Sequence, residues 1–288
     1  MTRPHYTWQL RTRTLPLGQR TLLMGILNVT PDSFSDGGLY QGAAAALNQA
    51  MRLLDEGADI LDLGGESTRP NATPLTAVEE QARILPVLAG ILKARPNAIL
   101  SVDTYHAATA QAALDHGAEI INDVSGLLWD PAMAATLAAA TPFPGAILMH
   151  TRGRPTEWAK LPPLPPADVM PLVLTSLRHS LTLAAAAGIP PRTIVLDPGF
   201  GFGKLGEANF TLLASFRDLH ALGHPLLAGI SRKRFLTANL QNQSESSRDE
   251  ATSAANVAAI LAGAHILRVH DIPAARTAAH VADSILHA

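Results

Sequence analysis

Eight polar strings punctuate this sequence, each following a short apolar run. They are Asn28-Val29-Thr30-Pro31-Asp32-Ser33-Phe34, Gly64-Gly65-Glu66-Ser67-Thr68-Arg69-Pro70, Asp103-Thr104, Asn122-Asp123, Met149-His150, Asp197-Pro198-Gly199-Phe200-Gly201-Phe202-Gly203-Lys204, Ser231-Arg232-Lys233-Arg234 and Arg268-Val269-His270-Asp271. Their chemistry is mixed. Asp103, Asn122 and Asp197 offer acceptors and an amide for a polar heterocycle. Lys233, Arg268, Arg69 and His270 offer positive charge for an anion such as diphosphate. Asn28 carries an amide oxygen of the kind that ligates a hard cation.

Each residue has a plainer use when taken alone. A single Asp at a strand end caps the next helix. The Gly199–Gly203 run serves as a tight turn, since it has neither Walker nor G-x-G-x-x-G spacing. A lone His270 is a hydrogen-bonded structural histidine, and Asp249 and Glu250 are helix N-terminal charge. Convergence weighs against taking all of these separately, because the strings fall at equivalent places in a repeated unit.

That unit is strand then helix. Apolar runs at 22–27, 59–63, 98–102, 119–124, 146–149, 193–196, 225–230 and 265–269 predict strands. Most are continuous rather than alternating, as in parallel strands buried on both faces. Helices are predicted over 43–56, 76–94, 107–116, 169–187, 209–222, 251–262 and 273–287, with a shorter one over 131–140. Thr76 and Glu79 stand at capping-box spacing. Three helices leave through Glu56-Gly57-Ala58, His116-Gly117-Ala118 and Ala262-Gly263-Ala264 straight into a strand. Glycine supplies the left-handed cap there. Eight such units predict an α/β fold, a (β/α)8 TIM barrel, which would gather all eight strings on one face. A doubly wound open sheet is the alternative. Residues 1–288 are expected as one domain, the barrel running from about residue 20 and 1–19 forming an N-terminal extension. The proline-rich 161–167 and polar 241–249 read as loops, and Trp8, Trp129 and Trp158 as packing.

Composition narrows the function classes. With 47% hydrophobic residues the chain supports a large core, and a net charge of −2 argues against nucleic acid or an anionic membrane as partner. The absence of cysteine excludes disulfides, thiolate metal sites and a cysteine nucleophile. No secretory pattern opens the sequence, and proline, glycine or charge interrupts each candidate membrane span. The expectation is a cytoplasmic protein.

Taken together and in order, the strings across residues 22–271 resemble the signature segments of the dihydropteroate synthases. The resemblance implies a TIM barrel and a magnesium-dependent transferase of folate (tetrahydrofolate) biosynthesis that is a sulfonamide target. Its substrates would be 6-hydroxymethyl-7,8-dihydropterin diphosphate and p-aminobenzoate, and its products 7,8-dihydropteroate and diphosphate. Asp103, Asn122, Asp197 and Lys233 would hold the pterin. Asn28, Arg268 and His270, with magnesium on Asn28, would bind the diphosphate. Phe34, Thr68, Arg69, Pro70 and Phe202 would shape the p-aminobenzoate pocket, with Arg234 near its carboxylate. Asp103, Lys233, Arg268 and His270 would carry catalysis, and the family implies a homodimer formed through late helices. Three positions depart from the family pattern: Thr151-Arg152, His106 and Arg234. Two other functions compete. One is a pterin-dependent methyltransferase, for which Arg268, His270, Lys233 and the Asn28 loop have no clear use; the other is a non-catalytic pterin-binding paralogue.

Overall fold

The computed structural model describes residues 3–29, 38–66, 74–238 and 244–288. Residues 1–19, expected only as an extension, contain an antiparallel hairpin of β1 (Tyr6–Gln9) and β2 (Thr14–Leu17). The strand–helix alternation follows. Its strands are β3 (Leu22–Asn28), β4 (Ile60–Gly64), β5 (Leu100–Asp103), β6 (Ile120–Asp123), β7 (Gly145–Met149), β8 (Ile194–Asp197), β9 (Leu227–Ala228) and β10 (Ile266–Val269). All eight are parallel, in the order β8-β7-β6-β5-β4-β3-β10-β9. A parallel bridge between Leu196 and Leu226 joins the two ends, so the sheet closes into the barrel and the open-sheet alternative falls.

Two apolar clusters explain why the strands read as continuous runs. Leu61, Leu63, Leu100, Val102, Ile121, Leu148, Leu196 and Leu267 belong to a large cluster shared with the helices. Ile60, Ile120, Ile147, Val195, Leu227 and Ile266 alternate with them and fill the barrel interior with Trp8, Leu10 and Leu17 of the hairpin. Side chains alternate along a strand, so residues two apart share a face. Two residues beyond Ile60, Ile120, Val195 and Ile266 stand Asp62, Asn122, Asp197 and Arg268. The interior is therefore apolar at the hairpin end and polar at the carboxyl end, within the same alternation.

The surrounding helices are α1 (Gly38–Asp55), α2 (Ala77–Ala94), α3 (Ala107–Asp115), α4 (Met133–Ala139), α5 (Pro166–Ala187), α6 (Ala208–Ala214), α7 (Glu245–Leu261) and α8 (Ile272–His287). The three predicted glycine exits share one hydrogen-bond pattern. Gly57 and Ala58 donate to Leu54 and Leu53, Gly117 and Ala118 to Leu114 and Ala113, and Gly263 and Ala264 to Ile260 and Ala259. Each glycine has a positive φ, as that cap requires.

Three expectations are corrected. The segment 241–249 is not all loop, since α7 starts at Glu245 behind Ser244, whose hydroxyl accepts from the Ser247 amide at 3.1 Å. The helix expected over 209–222 is α6 followed by a separate 3-10 turn, Phe216–Leu222. By length and composition α5 is apolar enough to cross a bilayer, against the reading that no segment is. In the fold, Val169, Val173, Leu177 and Ala184 of α5 are buried in the core that the helices share with the strands.

Candidate active site

The carboxyl end of the barrel collects most of the predicted residues. Arg268 stands at its centre, its Nε donating to Asp62 Oδ2 at 2.6 Å and its Nη2 to Asp103 Oδ2 at 2.7 Å. Asn122 donates to the same Asp62 oxygen at 3.0 Å. The register places Asp103 beside Gly64 on one side and Asn122 on the other. Asp197 accepts the Gly199 amide at 2.7 Å, and a Cβ on Gly229 would lie 3.5 Å from its other oxygen. Lys233 places its ammonium 4.1 Å from the centre of the Phe202 ring, and Trp158 packs edge-on against that ring at 5.3 Å.

The electrostatics follow from burial. Burial pushes the Asp103 carboxyl up to about 7 although Arg268 pulls it down; Asp62 and Glu80 add to the rise. Burial likewise raises Asp197 to about 6, against the Gly199 amide, Lys233 and Arg268. Burial opposes the charge on Arg268, but Asp62 and Asp103 together outweigh it and hold the guanidinium above its ordinary value. Lys233 is drawn down to about 8 by burial and then by Arg268.

His270 is expected from sequence as a positive group, and this is corrected. Burial, then Arg268, Arg232 and Lys233, lowers it to about 4, so the ring is neutral at pH 7. Its Nδ1 lies 3.0 Å from Ser231 Oγ. The Ser231-Arg232-Lys233 turn is held at Arg232, whose backbone is left-handed (φ 57) and whose guanidinium meets Asp249 at 2.7 and 3.0 Å. Asp249, expected only as helix-end charge, is thus an anchor for the turn that carries Lys233.

Asn28 is exposed at the end of β3, beside Gly64. Arg234 is exposed in a short 3-10 turn, Arg234–Thr237. Phe34, Thr68, Arg69 and Pro70 lie outside the described residues. Of the departures, His106 sits 3.6 Å from Glu66, to which Tyr105 also donates at 2.9 Å. Arg152 donates to the Pro162 carbonyl at 3.0 Å and to the Gly203 carbonyl at 3.3 Å, tying the proline-rich segment to the glycine-rich turn.

Sequence reasoning passed over Asp62 and Lys204 as site residues. Asp62 is fully buried and is shared by Arg268 and Asn122. A carboxylate inside an apolar strand, Ile60-Leu61-Asp62-Leu63, was the available signal. Lys204 is buried against His150 and the glycine-rich turn. That turn is not a phosphate loop: the Gly199 and Gly201 amides are taken by Asp197 and by Asn209. Gly199 has φ +67, and a Cβ there would lie 1.9 Å from the His150 carbonyl oxygen.

Residues 24–270 match the family described as pterin binding enzyme. The chain is 41% identical over 269 residues to the dihydropteroate synthase of Bacillus subtilis, covering 93% of this chain and 90% of that one. It is similar to the Yersinia pestis dihydropteroate synthase solved with a sulfonamide drug complex, at TM-score 0.89 and 38% identity over 98% of this chain and 100% of that one. The Xanthomonas albilineans dihydropteroate synthase solved with 4-aminobenzoic acid gives TM-score 0.88 and 38% identity, covering 99% of this chain and 100% of the other. A barrel whose carboxyl end gathers Asp62, Asp103, Asn122, Asp197, Lys233 and Arg268 agrees with both likenesses, and the chain belongs to the dihydropteroate synthases of the pterin-binding enzyme family.

Proposed function

We propose that this chain joins 6-hydroxymethyl-7,8-dihydropterin diphosphate to p-aminobenzoate. The bond from the pterin methylene carbon to the diphosphate oxygen breaks. A bond from that carbon to the arylamine nitrogen forms, and the amine gives up one proton to the released diphosphate or to water. The observation that carries this reading is the meeting, in one barrel mouth, of a carboxylate–amide set with Lys233 and Arg268.

Asp197 is a carboxylate at neutral pH and accepts the paired N–H donors of an aminopterin. Asn122 spends one N–H on Asp62 and offers its carbonyl oxygen to the ring. Asp103 lies against Arg268 at the point where charge develops. As diphosphate departs, the methylene becomes electron-poor and the Asp103 carboxylate stabilises it. Arg268 keeps Nη1 for the diphosphate while two carboxylates hold its other edge. His270 donates as a neutral ring and gains a proton more readily once the diphosphate anion is near.

Magnesium fits the donor set as a substrate-borne ion. Asn28 presents an exposed amide oxygen, and among the described residues no three His, Asp or Glu side chains form a cage. Such an ion keeps several waters and takes most of its remaining ligands from substrate phosphates. Bound there, it would neutralise charge on the leaving diphosphate. A chelator is expected to abolish turnover while leaving binding of a pterin without the diphosphate intact.

A homodimer is part of the same proposal. Val281 and Ile285, one turn apart on α8, are 48% and 54% exposed, which suits burial against a second copy. Replacing Val281 by Glu should shift the sedimentation of the dimer toward monomer. A cytoplasmic location accords with the folate pathway and is likewise proposed.

The test of the reaction is diphosphate release with magnesium, with and without p-aminobenzoate. Release that requires p-aminobenzoate, yields dihydropteroate and is competed by a sulfonamide supports the reading. Pterin binding without release would favour the non-catalytic paralogue, and methyl transfer from a methylated folate would favour the methyltransferase.

A further inference from the structure

Lys204 is among the largest fully buried side chains of the described residues, at 1% exposure. An ammonium loses its hydration there, and a well-packed apolar residue would avoid that cost. Its contacts are specific. Nζ lies 2.8 Å from His150 Nδ1 and donates to the Phe202 carbonyl at 3.2 Å. The His150 ring stays neutral, because burial and then Lys204 lower its pKa, so Nδ1 can accept from the lysine. Lys204 is itself drawn down to about 7 by burial. Its own carbonyl accepts from Asn209 at 2.8 Å, and Asn209 accepts the Gly201 amide at 2.7 Å. Every one of these bonds fixes the turn that carries Phe202. The Phe202 ring then stands between Trp158 and the Lys233 ammonium.

We infer that Lys204 is a positioning residue which, through His150 and the Phe202 carbonyl, sets the Phe202 ring against Lys233 and so shapes the arylamine side of the site. This rests on the dihydropteroate synthase reading. Lys204 is buried beneath the turn and leaves almost no surface for a substrate to touch. A purely structural lysine would alter stability when replaced and leave the affinities of the two substrates in the same ratio.

The experiment compares Lys204→Met, His150→Leu, their combination and His150→Asn with wild type. Lys204→Met keeps length and apolar bulk while removing the donor. His150→Asn restores an acceptor oxygen near the place of Nδ1. Loss of this buried hydrogen bond should raise KM for p-aminobenzoate about tenfold in Lys204→Met. His150→Leu should match it, the double variant should show no further rise, and His150→Asn should recover most of the loss. KM for the pterin substrate should move less than threefold and kcat should follow it, on the order seen for indirect contacts. A second readout needs no substrate: amide exchange at Gly201, Phe202 and Gly203 should quicken in Lys204→Met while the strands stay protected. A lower melting temperature with unchanged KM values and unchanged exchange at the turn would overturn the inference. Additive effects in the double variant would also overturn it. If wild type itself releases no diphosphate, the functional reading fails, and exchange at the turn alone decides whether Lys204 positions Phe202.

Discussion

At Asp103 two demands meet. The Arg268 guanidinium grips one of its oxygens at 2.7 Å, and burial pushes the carboxyl up to about 7. The useful form in the proposed reaction is the carboxylate. Protonation removes it, so kcat/KM should fall as pH drops below about 7, with the deprotonated plateau above. Asp103→Asn should lower kcat by on the order of a hundredfold and lose that acid limb. Pterin affinity should change by no more than about threefold, since Asn122 and Asp197 remain. Equal losses in kcat and affinity would make Asp103 a binding group only. The residue types were readable because polar groups at strand ends are chemically conspicuous. Their pairings were not. Arg268 reads as a cation for diphosphate, yet its first partners are Asp62, 206 positions away, and Asp103. Pairing of β3 with both β10 and β4 brings Arg268 and Asp62 onto the same mouth, and no local pattern encodes it. For the same reason His270 reads as positive until its burial and its basic neighbours are known.

Among the elements, legibility tracks how local the cause is. The start of α2 was visible because a capping box is a four-residue device. Thr76 Oγ1 accepts from the Glu79 amide at 3.3 Å, and Glu79 returns a bond to the Thr76 amide at 2.8 Å. The glycine exits were visible for the same reason. The start of α7 was not, because Ser244-Glu245-Ser246-Ser247-Arg248-Asp249-Glu250 has no apolar periodicity. The Ser244 cap and the distant Arg232–Asp249 pair hold it in place. The hairpin was also missed, since four-residue strands leave too short a pattern. Thr76→Ala should cost about 1 kcal/mol in urea unfolding. It should leave kcat unchanged, because the capping box is exposed and Thr76 touches no site residue. A drop in kcat at full occupancy would mean that α2, through buried Glu80 and its bond to Thr104, transmits strain to Asp103.

Across the whole molecule, one end of the barrel must stay dry while the other admits charged substrates. The hairpin seals the dry end: Trp8 is 1% exposed and donates to the Thr193 carbonyl at 2.7 Å. His265 fastens the same end. Its Nδ1 accepts the Leu226 amide at 3.0 Å, and its Nε2 lies 2.9 Å from the Pro4 carbonyl oxygen, to which it donates. Those two partners require the neutral ring, and burial lowers its pKa from 6.5 to about 4. The sign of the linkage follows. Unfolded, His265 takes a proton once pH falls below its ordinary value; folded, it resists until about 4. Stability present above pH 6.5 is therefore lost progressively as pH falls toward 4. Across that interval one proton, at about 1.4 kcal/mol per pH unit, amounts to about 3 kcal/mol. His270 and His150, both held neutral by burial, act in the same direction at the other end. Denaturant unfolding of wild type between pH 7 and pH 4 should show this loss. His265→Leu should be less stable at pH 7, because the Leu226 amide and Pro4 carbonyl lose their partner, yet its profile should be flatter by about one proton. A variant profile parallel to that of wild type would show that His265 is protonated as easily in the fold as in the unfolded chain, and the seal would then rest on the hairpin alone.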